Sequence, residues 1–246
     1  MPQQSNPISR RPGHLAGDIR APVARHFNAY HQRGGVLMQI AIIGAGYVGN
    51  ALAVGWIRAG HGVTFGIRKP NAPPSGGPAG ARYAAPPMAA QGAEAVVLAV
   101  PWPAVTDALA SSGDLGGKIL IDCTNPLRMG ASGLELEIGH TNSGGERVAA
   151  LAPGASVFKT LNQTGFANMQ HAGDFTALPA AMFVAGDDAA RKPTVLALVS
   201  DLGFQAIDAG PLRVARLLEP MAMLWIHMAM NRDAAMMQAF ALTRRT

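Results

Sequence analysis

The chain has 246 residues, of which 49% are apolar and 14% are charged, a composition that allows a globular fold with a sizeable core. Its single cysteine, Cys123, excludes an intrachain disulfide framework and is typical of a reducing compartment such as the cytoplasm. The chain has 20 Lys and Arg and 15 Asp and Glu. Residues 1–37 contain five of these cations and one of these acids, so the rest of the chain has 15 cations and 14 acids. This balance excludes a strongly basic nucleic-acid surface on the folded body.

Residues 1–37 are predicted to be a disordered basic extension, because they are rich in Pro, Gly, Gln and Arg and show no apolar period. They lack the apolar segment of a secretory signal, whereas the scarcity of acids leaves a transit peptide open, and translation from Met38 is a further alternative. No membrane span is predicted, because the most apolar stretch, Met221–Met230, is far shorter than the ~20 residues that a spanning helix needs.

A glycine-rich turn follows the first predicted strand. Residues Gln39–Ile43 form a short apolar, β-branched run of the kind found in buried parallel strands. Six residues with the spacing Gly-x-Gly-x-x-Gly come next, before an apolar stretch with helical character: Gly44, Ala45, Gly46, Tyr47, Val48 and Gly49. Such glycines permit the tight turn, the approach of a pyrophosphate and the packing of the helix on the strand. The strand–turn–helix context predicts a dinucleotide site rather than an ordinary glycine-rich turn.

The residues after the second predicted strand indicate which dinucleotide binds. An acidic residue at this point would bind the ribose hydroxyls of NAD, but Gly66 stands there, and no acid occurs between Gly44 and Lys69. Arg68 and Lys69 follow at once. A guanidinium matches a phosphate in two-point geometry and a lysine adds a point charge, so the pair favours the 2′-phosphate of NADP over the alternative of two solvated loop cations.

The remaining predicted elements alternate between strands and helices. Further strands are predicted at Ala81–Ala84, Ala95–Val100, Lys118–Asp122, Ser156–Thr160, Ala181–Val184 and Gly203–Asp208. Helices are predicted at Ala104–Ser111, after the capping box Ser143–Glu146, after Gly186, and over the Met-rich Leu212–Leu242. This order predicts an α/β fold, a Rossmann doubly wound parallel sheet with a small C-terminal α/β lobe and a terminal helix. The expected domains are residues 38–155 for the Rossmann domain and 156–246 for the lobe.

Several runs together resemble one family, the NADPH-dependent deazaflavin (coenzyme F-420) reductases, also called F-420-dependent NADP oxidoreductases, and their bacterial dinucleotide-binding relatives. The runs are Ile43–Gly49, Val100–Trp102, Asp122–Pro126, Phe158–Asn162, Phe183–Asp188, Asp208–Leu212 and Arg216–Glu219. The resemblance implies direct hydride transfer between the nicotinamide of NADP and a flat, flavin-like acceptor. It also implies that the glycine turn holds the pyrophosphate, that Arg68 and Lys69 hold the 2′-phosphate, and that Val100, Pro101, Asn125 and Pro126 border the nicotinamide.

The acceptor side has three candidate residues. Lys159 and Asn162 follow a strand and are expected to share the edge of the site with Asn125, where they would act as catalytic groups if the substrate needed a proton. The alternative for Lys159 is a cation that contacts cofactor or solvent. His140 lies in a Gly-rich segment and is a candidate substrate contact or a surface residue. The seven histidines show no metal-ligand spacing, so no metal is expected.

The sequence leaves the acceptor open among F-420, a flavin and another small molecule. A reductase of imines or ketones, similar to pyrroline-5-carboxylate reductase, is one alternative, and a protein that senses NADP without turnover is another. A homodimer is expected through the C-terminal helix, because large apolar residues recur there at helical spacing: Leu217, Leu218, Met221, Leu224, Trp225 and Met228.

Overall fold

The computed structural model describes residues 37–131, 133–175, 177–231 and 235–245. The predicted basic extension lies outside the described residues except for Leu37, which is exposed. Across those ranges, the helices are all too short or too polar to cross a bilayer.

Eight strands form one sheet in the order β10-β9-β8-β5-β4-β1-β2-β3. A separate two-stranded hairpin follows β5 in the chain. The sheet strands are β1 (Gln39–Ile43), β2 (Gly62–Gly66), β3 (Arg82–Ala84), β4 (Ala95–Leu98), β5 (Ile119–Asp122), β8 (Ser156–Lys159), β9 (Ala181–Gly186) and β10 (Gln205–Gly210). The hairpin strands are β6 (Leu127–Gly130) and β7 (Gly133–Leu136). Its place in the chain was predicted only as a polar, Gly-rich segment.

The helices are α1 (Tyr47–Arg58), α2 (Pro86–Gln91), α3 (Val105–Ser111), α4 (Gly144–Leu151), α5 (Phe166–Gln170), α6 (Lys192–Asp201) and α7 (Ala215–Asn231). Short 3-10 turns precede α3 and α7, at Trp102–Ala104 and Leu212–Val214. Two others occur at Ala172–Asp174 and Ala235–Met237.

The two faces of the sheet are each covered by helices, which confirms the predicted α/β fold. Along β1, Ile40 and Ile42 face a core shared with α1, α5 and α6. Ala41 and Ile43 point the other way, into a core shared with α2, α3 and α4. Successive side chains of a strand alternate between faces, so a strand buried on both faces must be apolar throughout, as β1 is after Gln39.

The strand directions differ from the expected all-parallel sheet at one place. Neighbouring strands are parallel from β3 to β8 and again between β9 and β10, but β8 and β9 are antiparallel. The connection between β8 and β9 contains the five-residue helix α5 and the 3-10 turn Ala172–Asp174, both shorter than the crossover helix that usually joins parallel strands. The side chain of Gln163 extends the short pairing, because it accepts from the amide of Phe183 at 2.9 Å and donates to its carbonyl at 3.2 Å.

The C-terminal helix ends earlier than expected. Helix α7 ends at Asn231, and residues 238–245 are not helical. The indole of Trp225 and the side-chain amide of Asn168 both donate to the carbonyl of Gln238 at 2.8 Å. The carbonyl of Phe240 accepts from the amide of Ala181, so the tail continues beside the start of β9.

The predicted domain boundary between residues 155 and 156 falls inside this sheet, since β8 pairs with β5. Strands β8 to β10 therefore continue the sheet that starts with the glycine turn. The division of function between residues 38–155 and 156–246 stays a prediction.

Candidate functional site

The candidate site lies where the parallel strands β1, β2, β4, β5 and β8 end. Their carboxyl ends share one edge of the sheet, and ligands of open α/β sheets bind at that edge. The order of the strands places the end of β2 on one side of β1 and the ends of β4, β5 and β8 on the other. The site therefore has two sides with different residues.

The glycine turn between β1 and α1 is shaped by contacts that exclude side chains. Gly44 has φ = 111°, and a Cβ there would overlap the carbonyl of Ala99 at the end of β4. A Cβ at Gly49 would overlap the carbonyl oxygen of Gly44. At Gly46, by contrast, a Cβ would meet no heavy atom within 4 Å. The first and third glycines thus serve packing, and the second leaves open space at the start of α1 in which a pyrophosphate fits.

Asn50 holds the carbonyl groups of this turn, a contact that the sequence did not indicate. Its side-chain amide donates to the carbonyls of Ala45 and Gly46, both at 3.0 Å. These carbonyls are thereby turned toward the body of α1. The N–H groups of the first helical turn, at Tyr47 and Val48, have no helical partner and can bind an anion.

The end of β2 carries the cations that the sequence singled out. Gly66 is buried, and a Cβ there would lie 2.6 Å from Cδ1 of Ile43 and 3.1 Å from Cα of Pro86. A side chain at Gly66 would therefore require Ile43 and the chain at Pro86 to shift. Arg68 and Lys69 are both exposed just beyond it, and within the described ranges neither forms an ion pair with a carboxylate.

On the other side of β1, the chain leaves β4 at Val100 and Pro101 and leaves β5 at Asn125 and Pro126. The side-chain amide of Asn125 donates to the carbonyl of Asn162 at 3.2 Å. The amide of Asn162 donates in return to Oδ1 of Asn125 at 3.1 Å. The structure thus brings together two residues that lie 37 positions apart in the chain, as the sequence predicted for this edge.

A buried charge cluster lies behind this pair. Nζ of Lys159 lies 3.0 Å from Oδ2 of Asp122 and 3.0 Å from Oε1 of Glu219, and it also donates to the carbonyl of Thr124. The side chains of Lys159 and Asp122 are 0% exposed, and that of Glu219 is 1% exposed. Burial by itself lowers the pKa of Lys159, but the two carboxylates outweigh it and hold the pKa above its ordinary value. The ammonium is therefore charged, and three acceptors use its three hydrogens.

The same cluster fixes the chain after β5. Oδ1 of Asp122 accepts hydrogen bonds from the amide of Thr124 at 2.9 Å and from its hydroxyl at 2.7 Å. Since Lys159 binds the carbonyl of Thr124, the residue before Asn125 is held from both its N–H and its C=O sides. The position of Asn125 at the edge depends on these bonds.

Glu219 connects the cluster to two helices. The residue belongs to α7, and its oxygens accept from the amides of Gly144 and Gly145 at 2.9 Å, at the start of α4. These amides belong to the first turn of a helix, where N–H groups have no helical partner and a carboxylate is favourable. One turn earlier in α7, Arg216 donates to both oxygens of Glu146.

This environment does not favour the predicted catalytic role of Lys159. A proton donor must reach the substrate, whereas Nζ of Lys159 is enclosed and held in its charged form by Asp122 and Glu219. Asn162 is 4% exposed and its side chain is bonded to Asn125, Gln163 and a backbone carbonyl. Both residues thus support the edge of the site instead of lining its surface.

His140 lies in the segment between the hairpin and α4. It is exposed and adopts φ = 62°. Its predicted contact with substrate stays a prediction. Among the described residues, no group of three His, Cys, Asp or Glu side chains is arranged to hold a metal ion.

Replacing Lys159 with Met should make stability depend on pH. The change leaves the buried carboxylates of Asp122 and Glu219 without a cation, and an unpaired buried charge costs far more than a buried neutral acid. A proton taken up at low pH removes much of this cost in the variant, whereas at high pH the full cost remains. We expect Lys159→Met to cost about 3–5 kcal/mol at about pH 8 and clearly less at about pH 5, measured by urea unfolding.

The control for this experiment is Lys118→Met. Nζ of Lys118 binds the backbone carbonyls of Gln91 and Ala93 and no carboxylate, so its removal should have the same effect at both pH values. Equal losses for Lys159→Met at the two pH values would show that the carboxylates do not depend on this cation.

Comparisons with known proteins agree with this geometry. A sequence model of the family described as "NADP oxidoreductase coenzyme F420-dependent" matches residues 39–126. A crystal structure from Arthrobacter sp. FB24, of a protein proposed to be an F420-dependent NADP reductase, is 34% identical with a TM-score of 0.77. That match covers 84% of this chain and 100% of the other.

Two further relatives are more distant. Metalloreductase STEAP3 from Rattus norvegicus is 27% identical over 181 residues, 74% of this chain and 36% of that protein, so the chain spans about a third of this curated relative. A reductive aminase from Aspergillus terreus, in complex with NADPH and ethyl levulinate, is 19% identical with a TM-score of 0.58, over 79% of this chain and 63% of the other, and shares the fold. Because the chain is 34% identical to the Arthrobacter protein and covers the whole length of that protein, it belongs to the family of coenzyme F420-dependent NADP oxidoreductases.

Proposed function

We propose that this protein transfers a hydride between NADPH and a flat, flavin-like acceptor, either the deazaflavin F-420 or a flavin. The observation that carries the proposal is the enclosure of Lys159, whose ammonium is 0% exposed at the edge where a proton donor was predicted. Transfer to a conjugated ring needs proximity and orientation, because the ring itself takes up the electron pair and a proton can come from water. An imine or ketone needs a proton donor at the reacting atom.

The residues of the site suit the binding of NADP(H). The N–H groups at the start of α1 face the open space at Gly46 and would hold the pyrophosphate. Arg68 and Lys69 would hold the 2′-phosphate, and the tightly packed Gly66 stands where NAD enzymes use an acid. When bound, NADPH supplies the hydride from C4 of its nicotinamide ring.

The nicotinamide side is held by residues that position rather than react. We infer that Val100, Pro101, Asn125 and Pro126 border the ring, because they leave β4 and β5 at the shared edge. Asn162 fixes the side chain of Asn125 by the paired hydrogen bonds. The hydride carries both electrons, so its transfer would reduce the acceptor by two electrons and oxidise the nicotinamide by two.

The relatives support this proposal. The family is described by its use of coenzyme F420, and so is the Arthrobacter protein. The name of STEAP3 describes a metalloreductase, and this chain matches 36% of it, so a metal acceptor is one outcome for an experiment to test. The reductive aminase shares only the fold with this chain. Reduction of an imine or ketone is therefore kept as the second candidate function. The third candidate function is NADP sensing without turnover.

We propose a cytoplasmic location for the protein, supported by its cysteine. Cys123 is buried, and burial together with the nearby carboxylate of Asp122 raises the pKa of its thiol. The thiol is thus protonated and unreactive, as is typical of a structural cysteine in a reducing compartment.

We also propose a homodimer through one face of α7. Of the six residues expected at this interface, Leu218 and Trp225 are buried within the chain and therefore do not belong to the interface. Leu217 and Leu224 remain 69% and 51% exposed, and the half-buried Met221 and Met228 lie on the same face at helical spacing. A second copy of this face would cover the stripe.

The proposed reaction is tested by incubating the protein with NADPH and, separately, F-420, FMN, riboflavin, ferric citrate or a cyclic imine. We expect loss of NADPH absorbance with at least one flavin-like ring and slower or no loss with the imine. NADPH deuterated at C4 on the transferred face should slow the reaction and label the reduced acceptor. Turnover with the imine alone would favour the second candidate, and tight NADPH binding without any turnover would favour a sensor.

Arg68→Ala should weaken NADPH far more than NADH. Losing one charge-assisted contact to the 2′-phosphate costs about 1.5–3 kcal/mol, which corresponds to about tenfold or more in Kd, and NADH has no such phosphate. Titration calorimetry with both cofactors measures the difference, with the exposed Arg213→Ala as control. Equal weakening of NADPH and NADH would contradict the role of Arg68.

Leu224→Glu should convert a dimer into a folded monomer, because a carboxylate cannot be buried at an apolar interface without a partner. Light scattering reports the mass and circular dichroism the folding. Met88→Glu is the matched control, since Met88 is 64% exposed on α2 and lies outside the stripe. A wild-type protein that is monomeric at high concentration would end the dimer proposal.

A further inference from the structure

The first residue of α1, Tyr47, exposes its ring directly after the glycine turn. Its side chain is 77% exposed, although it directly follows the turn that binds phosphate through backbone N–H groups. The N–H of Tyr47 and its ring therefore serve different purposes. Single exposed apolar groups are ordinary, so the ring needs a second observation before it carries an argument.

The second observation is a stack. The rings of Tyr47 and Phe166 have centroids 4.8 Å apart and an interplanar angle of 21°. Phe166 is half-buried and packs against the core that α1 and α5 share, so it gives the outer ring a fixed backing. With one face of Tyr47 on Phe166 and most of its surface in solvent, an oriented aromatic face is presented outward.

The order of the strands shows which side of the site this face belongs to. Phe166 starts α5, which follows β8, and β8 lies on the β4 and β5 side of β1. Arg68 and Lys69 follow β2, on the opposite side of β1. A dinucleotide whose 2′-phosphate lies at Arg68 has its nicotinamide toward β4 and β5, so the stack belongs to the reactive end. Asn162, four residues before Phe166, binds Asn125 at that same end.

We propose that Tyr47 and Phe166 form an aromatic wall against which the flat ring of the hydride acceptor packs. The proposal rests on the proposed function, since it names the surface that such an acceptor uses. The acceptor must enter and leave in each turnover, and the outward face of Tyr47 is reachable from solvent. A flat heteroaromatic ring gains by covering that face, because aromatic rings in offset stacks attract each other beyond the burial of their area.

Direct binding tests the wall separately from turnover. The fluorescence of FMN, riboflavin or F-420 is titrated with protein saturated with NADP⁺, and the Kd for NADP⁺ is measured by calorimetry. Tyr47→Ala should weaken binding of the ring about tenfold and raise its KM by a similar factor, the size of effect that losing one stacking partner has at other heteroaromatic sites. The Kd for NADP⁺ should change less than about twofold, because backbone N–H groups bind the phosphates.

Tyr47→Phe keeps the ring and should restore binding to within about threefold of wild type, as stacking requires. Met88→Ala alters an exposed side chain on α2 and should leave all constants unchanged. The wall would be overturned by any of three results. Tyr47→Ala could leave the affinity for the ring unchanged, or it could weaken the affinities for NADP⁺ and for the ring equally. The wild-type protein could also bind none of the three rings. If ring binding depends on Tyr47 but the protein does not oxidise NADPH, the aromatic wall is supported and the proposed reaction is rejected.

Discussion

The hydrogen bonds and ion pairs of the Lys159 ammonium are the interaction on which the rest of the site depends. One buried cation joins the end of β5 through Asp122, the turn after it through Thr124, and helix α7 through Glu219. A buried ion pair adds little net stability over well-packed apolar residues, because desolvation offsets the attraction, but removing one partner is costly. Its consequence here is geometric, since it holds the end of β5, the end of β8 and helix α7, which are distant in sequence, against one another.

Helix α7 is fixed by polar contacts at its start, which involve residues of the C-terminal runs. Asp187 accepts from the amide of Leu212, and Asp208 accepts from Gly210 and pairs with Lys192. Arg216 holds Glu146, where the guanidinium lowers the pKa of the carboxyl. These contacts set the direction in which α7 leaves β10. The characteristic residues of this region are therefore structural, and they bring Glu219 to the first turn of α4.

The two proposed sides of the site are built in different ways. The proposed phosphate side presents backbone N–H groups and two exposed cations, Arg68 and Lys69. The proposed nicotinamide side rests on a network of buried side chains from β5, β8 and α7, in which the amides of Asn125 and Asn162 hold each other. Such a network is rigid because each buried polar group has a partner.

The sequence by itself determined the α/β fold and the glycine turn, and it predicted a phosphate at Arg68, because these depend on local spacing and on one strand–turn–helix unit. Only the tertiary structure showed the contacts of Lys159 and Phe166. A lysine at the end of a strand is predicted to be a site residue when its neighbours are unknown. One of the two carboxylates that enclose Lys159 belongs to Glu219, which lies 60 positions later in the chain. The reversed direction of β9 and the stack of Tyr47 on Phe166 likewise arise from contacts between distant segments, which no local period encodes.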